Sequence, residues 1–307
     1  MLISIIIPVF NSKKYLKRCL DSVISALGDK DGEIITIDNG SADDSVVILK
    51  EYQKKNRTIR VLNCDTPGAA AVRNYGANNA KGDYIWFVDA DDAVSKDSVE
   101  LLLAKAKETK ADLVMLGVER IYENGNKNYL SAVTPEEKNY KSRFVRYGMG
   151  PVQVLIRRKW WSENSFQFME GHIHEDMELM SALILYTDRF AAVDKPLYYY
   201  YQNKGSVLHK TTWDPHYFDI FPVLESMYRR FKDAGAVKQY HDELEWFFIW
   251  NLLIDSAADF KKFPEGKAGL KRSREMMKKY FPDWRKNRFL REKPVKLRIR
   301  VRLNYYS

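Results

Sequence analysis

Cysteines, histidines and long apolar runs are scarce in this sequence, and each scarcity excludes a class of protein. The 307 residues include two cysteines and five histidines. Because Cys19 and Cys64 form no CxxC pair, neither a disulfide framework nor a cysteine zinc site is expected. Apolar stretches such as residues 246–254 are far shorter than the roughly 20 residues that span a bilayer. Residues 1–9 lack the basic segment of a signal peptide, so we expect a cytoplasmic protein, or one peripheral on the inner face of the membrane.

Two common nucleotide-binding signatures are also absent from the sequence. No GxGxxG motif follows the first apolar run, and GxxxxGK[ST] occurs nowhere in the chain. A dinucleotide-binding dehydrogenase and a P-loop NTPase are therefore not supported.

Basic charge is concentrated at one end of the chain. There are 50 Lys and Arg against 41 Asp and Glu, a net charge of +9. Residues 261–307 hold 17 basic and 4 acidic side chains, so the preceding residues are slightly acidic. Residues 296–303 alternate a cation with an aliphatic residue, which in a strand would give one basic and one apolar face. The tail is predicted either to dock on an anionic membrane surface or to be an edge strand or self-association element.

Strand and helix patterns alternate over the first 120 residues. Short apolar runs predict strands, and apolar residues at i, i+3, i+4 spacing predict helices. The predicted strands are residues 2–9, 33–37, 59–62, 83–88 and 112–118, and the predicted helices are residues 12–27, 44–55, 69–80 and 96–109. This order predicts an α/β fold with a doubly wound, mostly parallel sheet. A mixed region follows to residue 212, and residues 213–307 are predicted to be helical, with helices at 217–233, 237–260 and 266–280.

A cluster of acids follows the predicted strand 83–88, in the order Asp89-Ala90-Asp91-Asp92. In open α/β folds, ligands bind at the carboxyl ends of the strands. Three carboxylates within four residues repel one another unless a cation lies between them. Mg²⁺ or Mn²⁺ with a diphosphate suits such oxygens. The alternative is a solvated helix start that Asp91 or Asp92 caps.

Three predicted strand ends converge at one edge of the sheet. They are residues 8–11, 38–41 and 89–92. The Asp38 carboxylate can accept a hydrogen bond from a nucleobase N–H, because an ionised carboxylate only accepts. Pro8 and Phe10 can supply a flat apolar wall for the base. This edge is therefore predicted to bind a nucleotide with a metal ion.

Four motifs, in this order and at this spacing, resemble glycosyltransferase family 2. They are Pro8-Val9-Phe10-Asn11, Ile37-Asp38-Asn39-Gly40-Ser41, Gly68 with Arg73-Asn74-Tyr75-Gly76, and Asp89-Ala90-Asp91-Asp92. Further along, His174-Glu175-Asp176, the run from Pro196 to Tyr201, and Gly205-Ser206-Val207 resemble the acceptor half of bacterial members that build surface polysaccharides. The resemblance covers roughly residues 1–212.

The resemblance implies a GT-A fold and an inverting transfer of sugar from a nucleotide-diphosphate sugar, mostly a UDP-sugar. It also implies a divalent metal, Mn²⁺ or Mg²⁺, and a saccharide or lipid-linked saccharide as acceptor. Residues 1–120 would be the nucleotide-sugar-binding half, and residues 121–212 the acceptor-binding half of the same domain. Residues 213–307 would be the helical, basic C-terminal region.

The resemblance also implies roles for single residues of the donor site. Those that would bind the nucleotide sugar are Pro8, Phe10, Asn11, Asp38, Arg73, Asp89 and Ala90. Asp91 would hold the metal that bridges the diphosphate, and His209 matches a position that contributes to the metal or diphosphate site in some relatives. Asn39 departs from the family, which commonly has a second Asp there, and Thr66 stands where many members have Asn. Both departures lie at the nucleoside end.

Inverting transfer needs a carboxylate that takes the proton of the acceptor hydroxyl. The resemblance makes Asp176 the first candidate for this base and Glu175 the second. Asp176 is alternatively the N-cap of a helix over residues 177–185. Trp160 and Trp161 are predicted either to stack on an acceptor sugar or to pack in the core. The aromatic residues between Tyr240 and Trp250 are predicted to be packing.

Two other functions compete with sugar transfer. A nucleotidyltransferase that makes sugar nucleotides would share the sheet and the acidic site, but it usually carries a Gly-rich loop with a basic residue after the first strand. A non-enzymatic nucleic-acid binder could use the basic, aromatic-rich tail, although we expect nucleic acid not to be a partner. Release of UDP from UDP-sugars in the presence of Mn²⁺ would discriminate among the three.

Overall fold

The computed structural model describes residues 1–202 and 212–306, which form two compact units. One unit contains Met1–Tyr140, Met149–Gly171 and the described part of Thr187–Ser206. The other contains Lys141–Gly148, His172–Tyr186 and the described part of Val207–Ser307. We call them the sheet unit and the helical unit.

The sheet unit holds every strand found in the described residues. The nine strands are β1 (Ile3–Val9), β2 (Gly32–Asp38), β3 (Ile59–Asn63), β4 (Tyr84–Phe87), β5 (Ala93–Val94), β6 (Leu113–Ile121), β7 (Lys127–Leu130), β8 (Val154–Arg157) and β9 (Phe190–Tyr201). Strands β1, β2, β3, β4 and β6 agree with the five strands predicted over the first 120 residues, whereas β5 was not predicted.

Thirteen α-helices occur in the described residues. They are α1 (Leu16–Leu27), α2 (Ser45–Lys55), α3 (Ala69–Asn79), α4 (Ser98–Thr109), α5 (Tyr140–Tyr147), α6 (Arg158–Glu163), α7 (Glu175–Met180), α8 (Ile220–Asp233), α9 (His241–Trp250), α10 (Ser256–Phe260), α11 (Lys267–Tyr280), α12 (Arg288–Arg291) and α13 (Val295–Tyr306). None of these described helices combines the length and apolarity that crossing a bilayer requires.

The strands form one sheet in the order β3-β2-β1-β4-β8-β6-β9-β5, with β7 paired to β6. Strands β3, β2, β1 and β4 are parallel, and β8 is antiparallel to both of its neighbours. From the central β1 the chain winds first toward β2 and β3 and then crosses to β4. The predicted doubly wound sheet is therefore confirmed, and its switch point lies at β1, where ligands of open α/β sheets bind.

Strand β1 is buried on both faces because helices cover both sides of the parallel sheet. Ile3, Ile5, Ile6 and Ile7 are fully buried. Helix α1 places Leu16, Cys19, Leu20, Val23 and Leu27 in the same core. The core thus fixes the direction and depth of the strand ends that follow.

The aromatic residues of two segments pack in the interior. Trp160 and Trp161 are only 5% and 4% exposed, and both rings contact Phe166. Of the two interpretations of this pair, core packing is the one the structure supports. In the helical unit, Tyr240, Trp246, Phe247 and Phe248 are buried as predicted, whereas Trp250 is 40% exposed.

The helix predicted over residues 237–260 is interrupted. It begins as α9, widens into one π-helical turn over Asn251–Asp255, and continues as α10. The Asn251 side chain donates to the carbonyl of Phe247 at 2.9 Å. This bond uses the Phe247 carbonyl, an acceptor of the preceding helical turn, at the point where the α-helical hydrogen-bond pattern becomes π-helical.

The strand interpretation of residues 296–303 is wrong, because the segment lies in helix α13. Strict alternation advances a helix by about 200° for every second residue. Successive aliphatic residues therefore fall alternately on two opposite faces of the helix. One face, with Val301, is buried, and the other, with Ile299 and Leu303, is exposed. The alternation of cations and aliphatic residues did not distinguish a strand with one basic and one apolar face from a helix with apolar residues on two opposite faces.

Candidate functional site

The three predicted strand ends are neighbours in the sheet. Val9 at the end of β1 pairs with Asp38 at the end of β2, and the Asn39 amide donates to the Val9 carbonyl at 2.9 Å. On the other side of β1, the Val88 amide donates to the Ile6 carbonyl at 2.9 Å. The loops after β1, β2 and β4 therefore leave the sheet side by side.

Asn11 connects the first two of these loops, and Asp38 holds the turn of the second. Asn11 has a φ of 46°, and its Oδ1 accepts from the Ala42 amide at 2.8 Å. The Asp38 carboxylate accepts from the amides of Gly40 at 3.1 Å and Ser41 at 3.3 Å. A carboxylate has about four lone-pair positions, so these bonds leave acceptor capacity at Asp38. Phe10 is 61% exposed, and its ring is open to a flat partner.

Asn39, a departure from the family motif, ties two loops together. Its Nδ2 donates to the carbonyls of Cys64 at 2.8 Å and Thr66 at 2.9 Å. Its Oδ1 accepts from the Gly68 amide at 2.9 Å. An ionised Asp could not donate these bonds. The presence of Asn at position 39 is thus explained by the bonds that its side-chain amide makes to the neighbouring loop. The sequence analysis noted the departure from the family motif but did not identify these bonds.

Helix α3 brings Arg73 to the edge of the sheet. Gly76 lies against β1 and β2, and an added Cβ would come within 2.8 Å of Ile37 Cδ1. This close approach sets the position of Arg73, which is 8% exposed and donates from Nη2 to Asp89 Oδ1 at 3.0 Å. Asn74, the next residue, is bonded in both directions to the main chain of Phe168. Arg73 thus forms an ion pair with Asp89, and its place near the base or diphosphate stays a prediction.

Asp89–Asp92 forms a turn, which we call the acidic loop, in which the Asp92 amide donates to the Asp89 carbonyl at 3.1 Å. Tyr198 of β9 joins the two ends of this turn. Its hydroxyl donates to Asp92 Oδ2 at 2.6 Å and accepts from the Asp89 amide at 3.1 Å. The Tyr201 amide donates to Asp92 Oδ1 at 2.9 Å. Sequence reasoning named the run from Pro196 to Tyr201 but did not connect it to the acids.

Asp92 is fully buried. Burial, reinforced by the nearby charges of Asp89 and Asp91, raises the pKa of Asp92 to about 8, although hydrogen bonds from Tyr198 and Tyr201 oppose the rise. Ala90 is buried as well, whereas Asp91 is only half-buried. Contacts within the sheet unit therefore hold Asp89 and Asp92 in place.

Arg18 of α1 is a second cation beside the acidic loop, and sequence reasoning did not identify it. Its Nη2 donates to the main-chain carbonyl of Asp91. Its guanidinium lies 3.5 Å from the ring centroid of Tyr201. Because this contact is to the backbone, it fixes the loop without neutralising a carboxylate directly.

The donor set at the loop suits a divalent ion that is held jointly with a diphosphate. Mg²⁺ is usually bound by one or two carboxylates together with substrate phosphates. Asp91 is a half-buried acid of the loop, and its role as the ligand of such an ion stays a prediction. His209 and Gly205-Ser206-Val207 lie outside the described residues.

One cluster of three metal-capable side chains occurs among the described residues, and it lies in the helical unit. It consists of His241, Asp242 and Glu245. Protein donors already occupy its acids, since Arg288 Nε lies 3.0 Å from Asp242 and Asn287 Nδ2 donates to Glu245 at 2.8 Å. We therefore do not assign the metal of the donor site to this cluster.

The two candidate bases lie in helix α7. This helix begins at Glu175, and its N-cap residue is His174, with a φ of 65°. The interpretation of Asp176 as the N-cap is therefore wrong, because Asp176 lies inside the first turn. The predicted extension to residue 185 is also wrong, since α7 ends at Met180. Glu175 is 8% exposed and Asp176 is half-buried.

Buried polar contacts hold α7 within the helical unit. Glu178, which is 3% exposed, accepts from Arg230 Nε and Nη2 at 3.0 Å each and from the Ser226 hydroxyl at 3.0 Å. Just before the helix, Asp219 accepts from the Ile173 amide at 2.9 Å. Burial lowers the pKa of His174, so its imidazole favours the neutral form despite the neighbouring Glu175. The segment that carries the candidate bases is thus fixed on both sides.

Comparisons with known proteins agree with this geometry. The family model of glycosyl transferase family 2 matches residues 4–163. The chain is 26% identical over 273 residues to glycosyltransferase GlyG of Streptococcus pneumoniae serotype 4, which covers 80% of this chain and 89% of GlyG. It is 30% identical over 217 residues to glycosyltransferase GlyA of the same organism, a match that covers 67% of this chain but only 31% of GlyA.

A solved structure has the same fold. Staphylococcus aureus TarS 1–349 in complex with UDP-GlcNAc superposes with a TM-score of 0.80 at 21% identity, covering 99% of this chain and 88% of that one. The sheet and its surrounding helices are those of a GT-A glycosyltransferase. Because the family model matches more than half of its residues, the chain belongs to glycosyl transferase family 2.

Proposed function

We propose that this protein is an inverting glycosyltransferase that moves a hexosyl or N-acetylhexosaminyl group from a UDP-sugar to a hydroxyl of a saccharide or lipid-linked saccharide. The observation that carries the proposal is the acidic loop at the carboxyl end of β4, beside the ends of β1 and β2, in a family 2 chain. TarS, whose fold this chain shares, is crystallised with UDP-GlcNAc and is a poly(ribitol-phosphate) β-N-acetylglucosaminyltransferase. That relationship supports a UDP-sugar donor and a role in surface polysaccharide synthesis.

In this proposal the nucleoside binds at the ends of β1 and β2. Pro8 and Phe10 would contact the base, and Asp38 would accept from its N–H. Asn11 would line the same pocket, and its bond to the Ala42 amide keeps that loop in place. Arg73, Asp89 and Ala90 would contact the ribose and diphosphate at the end of β4.

Asp91 would hold a divalent metal ion together with the diphosphate oxygens, and His209 is a second candidate ligand. A bound Mn²⁺ or Mg²⁺ supplies stabilisation of the negative charge that grows on the departing diphosphate. Residues of this chain would hold the acidic loop in position for the metal ion. Tyr198 and Arg18 keep the loop in a single arrangement by their bonds to Asp92 and to the Asp91 carbonyl.

Asp176 would take the proton from the acceptor hydroxyl as that oxygen attacks the anomeric carbon, with Glu175 as second candidate. Direct displacement forms the new C–O bond on the face opposite the leaving diphosphate and therefore inverts the centre. A base must be held in one orientation to be effective. The bonds of Glu178 to Arg230, two residues further along α7, support this role because they fix the helix.

The C-terminal region would bring the enzyme to an anionic membrane surface. Its support is the charge of residues 261–307, which hold 17 basic side chains against 4 acidic ones. A lipid-linked acceptor would be presented at such a surface. The competing assignment as a nucleotidyltransferase is disfavoured because the chain belongs to a glycosyltransferase family.

Release of nucleotide from the full chain tests the proposal. The protein is incubated with UDP-glucose, UDP-galactose or UDP-N-acetylglucosamine and Mn²⁺, with and without saccharide acceptors, and UDP is quantified. We expect release of UDP from at least one donor, its stimulation by an acceptor, and its loss in EDTA. Release of pyrophosphate or of UMP in place of UDP would contradict glycosyl transfer. An anomeric NMR assignment of the product then tests inversion.

A further inference from the structure

Helix α13 carries an apolar stripe on its exposed face. Val295, Ile299, Leu303 and Tyr306 are 59%, 51%, 63% and 70% exposed. Spacings of four, four and three residues place these side chains along one face of a helix. The stripe extends over about 16 Å at the usual helical rise. It is a continuous apolar surface and not a set of isolated exposed residues.

The opposite face of α13 is anchored in the helical unit. Val301 is fully buried and Asn304 is 6% exposed. Asn304 Nδ2 donates to the Leu253 carbonyl at 2.7 Å, and Lys261 Nζ donates to Asn304 Oδ1 at 2.7 Å. The ring of Tyr305 packs 5.1 Å from that of Trp284. The packing of the helix therefore determines which face is exposed.

Cations flank the stripe on both sides. At about 100° per residue, Lys296 and Arg300 project on one side of the stripe, and Arg298 and Arg302 on the other. Residues 293–307 contain five basic residues and no Asp or Glu. An apolar stripe between two rows of cations is the pattern of a helix that lies in the interface of an anionic membrane.

We infer that α13 is the membrane-docking element and lies parallel to a surface of anionic phospholipid. The stripe is placed among the upper acyl chains, and the flanking cations contact the phosphate headgroups. Tyr306, at the end of the stripe, has an aromatic ring and a hydroxyl, which suit the interfacial region. A second copy of the chain is a poorer occupant, because pairing two such faces would bring the cations of each against those of the other.

The inference rests on the proposed membrane partner of the C-terminal region, and it is independent of the chemistry at the acidic loop. Its test is binding of the full chain to vesicles. Vesicles of phosphatidylcholine, with and without phosphatidylglycerol, are sedimented at low and at high salt with each variant. The double variant I299Q/L303Q removes the stripe but keeps good helix formers. We expect its partition coefficient on phosphatidylglycerol vesicles to fall at least about tenfold.

Two further variants make the result specific. K296Q/R302Q should also lower binding to phosphatidylglycerol vesicles, and should make that binding less dependent on salt than binding of the wild type. V47Q changes an apolar residue that is 55% exposed on α2 and should bind like the wild type. Circular dichroism and urea unfolding confirm that each variant is folded.

Several outcomes would overturn the inference. One is vesicle binding by I299Q/L303Q equal to that of the wild type. Another is a wild-type dimer in light scattering that I299Q/L303Q converts to a monomer while neither protein binds vesicles, which would make the stripe an interface between copies. UDP release is measured on the same samples with a water-soluble acceptor. Loss of vesicle binding with unchanged UDP release separates the docking role from the proposed catalytic function.

Discussion

Two segments of the chain each place three carboxylates within four residues. One is the acidic loop of the sheet unit, with Asp89, Asp91 and Asp92, and the other is the first turn of α7 in the helical unit, with Glu175, Asp176 and Glu178. In both, the last acid is buried and hydrogen-bonded, and the middle acid is half-buried. The middle acids are the ones to which we assign chemical roles.

The two segments differ in how the last acid is held. Asp92 is held by a tyrosine hydroxyl and a backbone amide, and no cation among the described residues pairs with it. Glu178 is held by both nitrogens of the Arg230 fork. A buried acid that only neutral donors hold lies close to the other carboxylates of its loop without a countercharge of its own, and a cation stabilises such a group of acids. The metal ligand at Asp91 and the base at Asp176 stay our proposals for the two middle acids.

The largest expected effect is that of D91A. If Asp91 holds the metal and diphosphate, this variant abolishes transfer and weakens UDP binding in Mn²⁺ or Mg²⁺ but not in EDTA. UDP affinity is measured by calorimetry under both conditions, and transfer by UDP release. E100A, which removes an exposed acid on α4, is the control and should retain activity. Metal-independent UDP affinity in the wild type, together with turnover in EDTA, would contradict the assignment.

D176N tests the proposed base in the first turn of α7. The amide keeps the shape of the side chain but cannot accept a proton, so transfer should fall by roughly 10²–10⁴-fold. UDP affinity should hardly change, which distinguishes this variant from D91A. E175Q is made in parallel, and it should lower transfer less. If E175Q loses activity and D176N keeps it, Glu175 is the base.

Much of this arrangement was predictable from local pattern. The apolar runs of β1, β2 and β4 and the turn residues after them predicted that three strand ends would meet at one edge, because parallel strands end on the same side. Asn39 and Tyr198 could not be assigned in the same way. The contact between Asp92 and Tyr198 joins residues 106 positions apart, and no local pattern encodes such a pair.

Helix α13 shows a different limit of local pattern. Its alternation fits a strand with two faces and a helix that is apolar on two sides. The deciding contacts, such as that of Asn304 with the Leu253 carbonyl, are tertiary. The charge of this segment is therefore known from the sequence, but its helical conformation could not be predicted from the sequence alone.

The smallest expected effect is that of Y198F, which weakens the anchor of the acidic loop. Phenylalanine preserves the ring that packs edge-on against Trp86 with centroids 6.4 Å apart. It removes the hydroxyl that donates to Asp92 and accepts from the Asp89 amide. The buried Asp92 carboxylate and the part-buried Asp89 amide then each lose a partner, which costs about 1–3 kcal/mol of unfolding free energy. Urea unfolding measures this loss.

Y199F is the matched control for Y198F, since Tyr199 is the next residue of β9, points to the other face of the sheet, and is only half-buried. Its unfolding free energy should stay within about 0.5 kcal/mol of the wild type. Transfer by Y198F should decrease less than transfer by D176N, because Tyr201 and Arg18 still hold the loop. Equal stability of Y198F, Y199F and the wild type would show that the tyrosine hydroxyl is not an anchor. The distinction between Asp92, held by neutral donors, and Glu178, held by a cation, would then lose its main support.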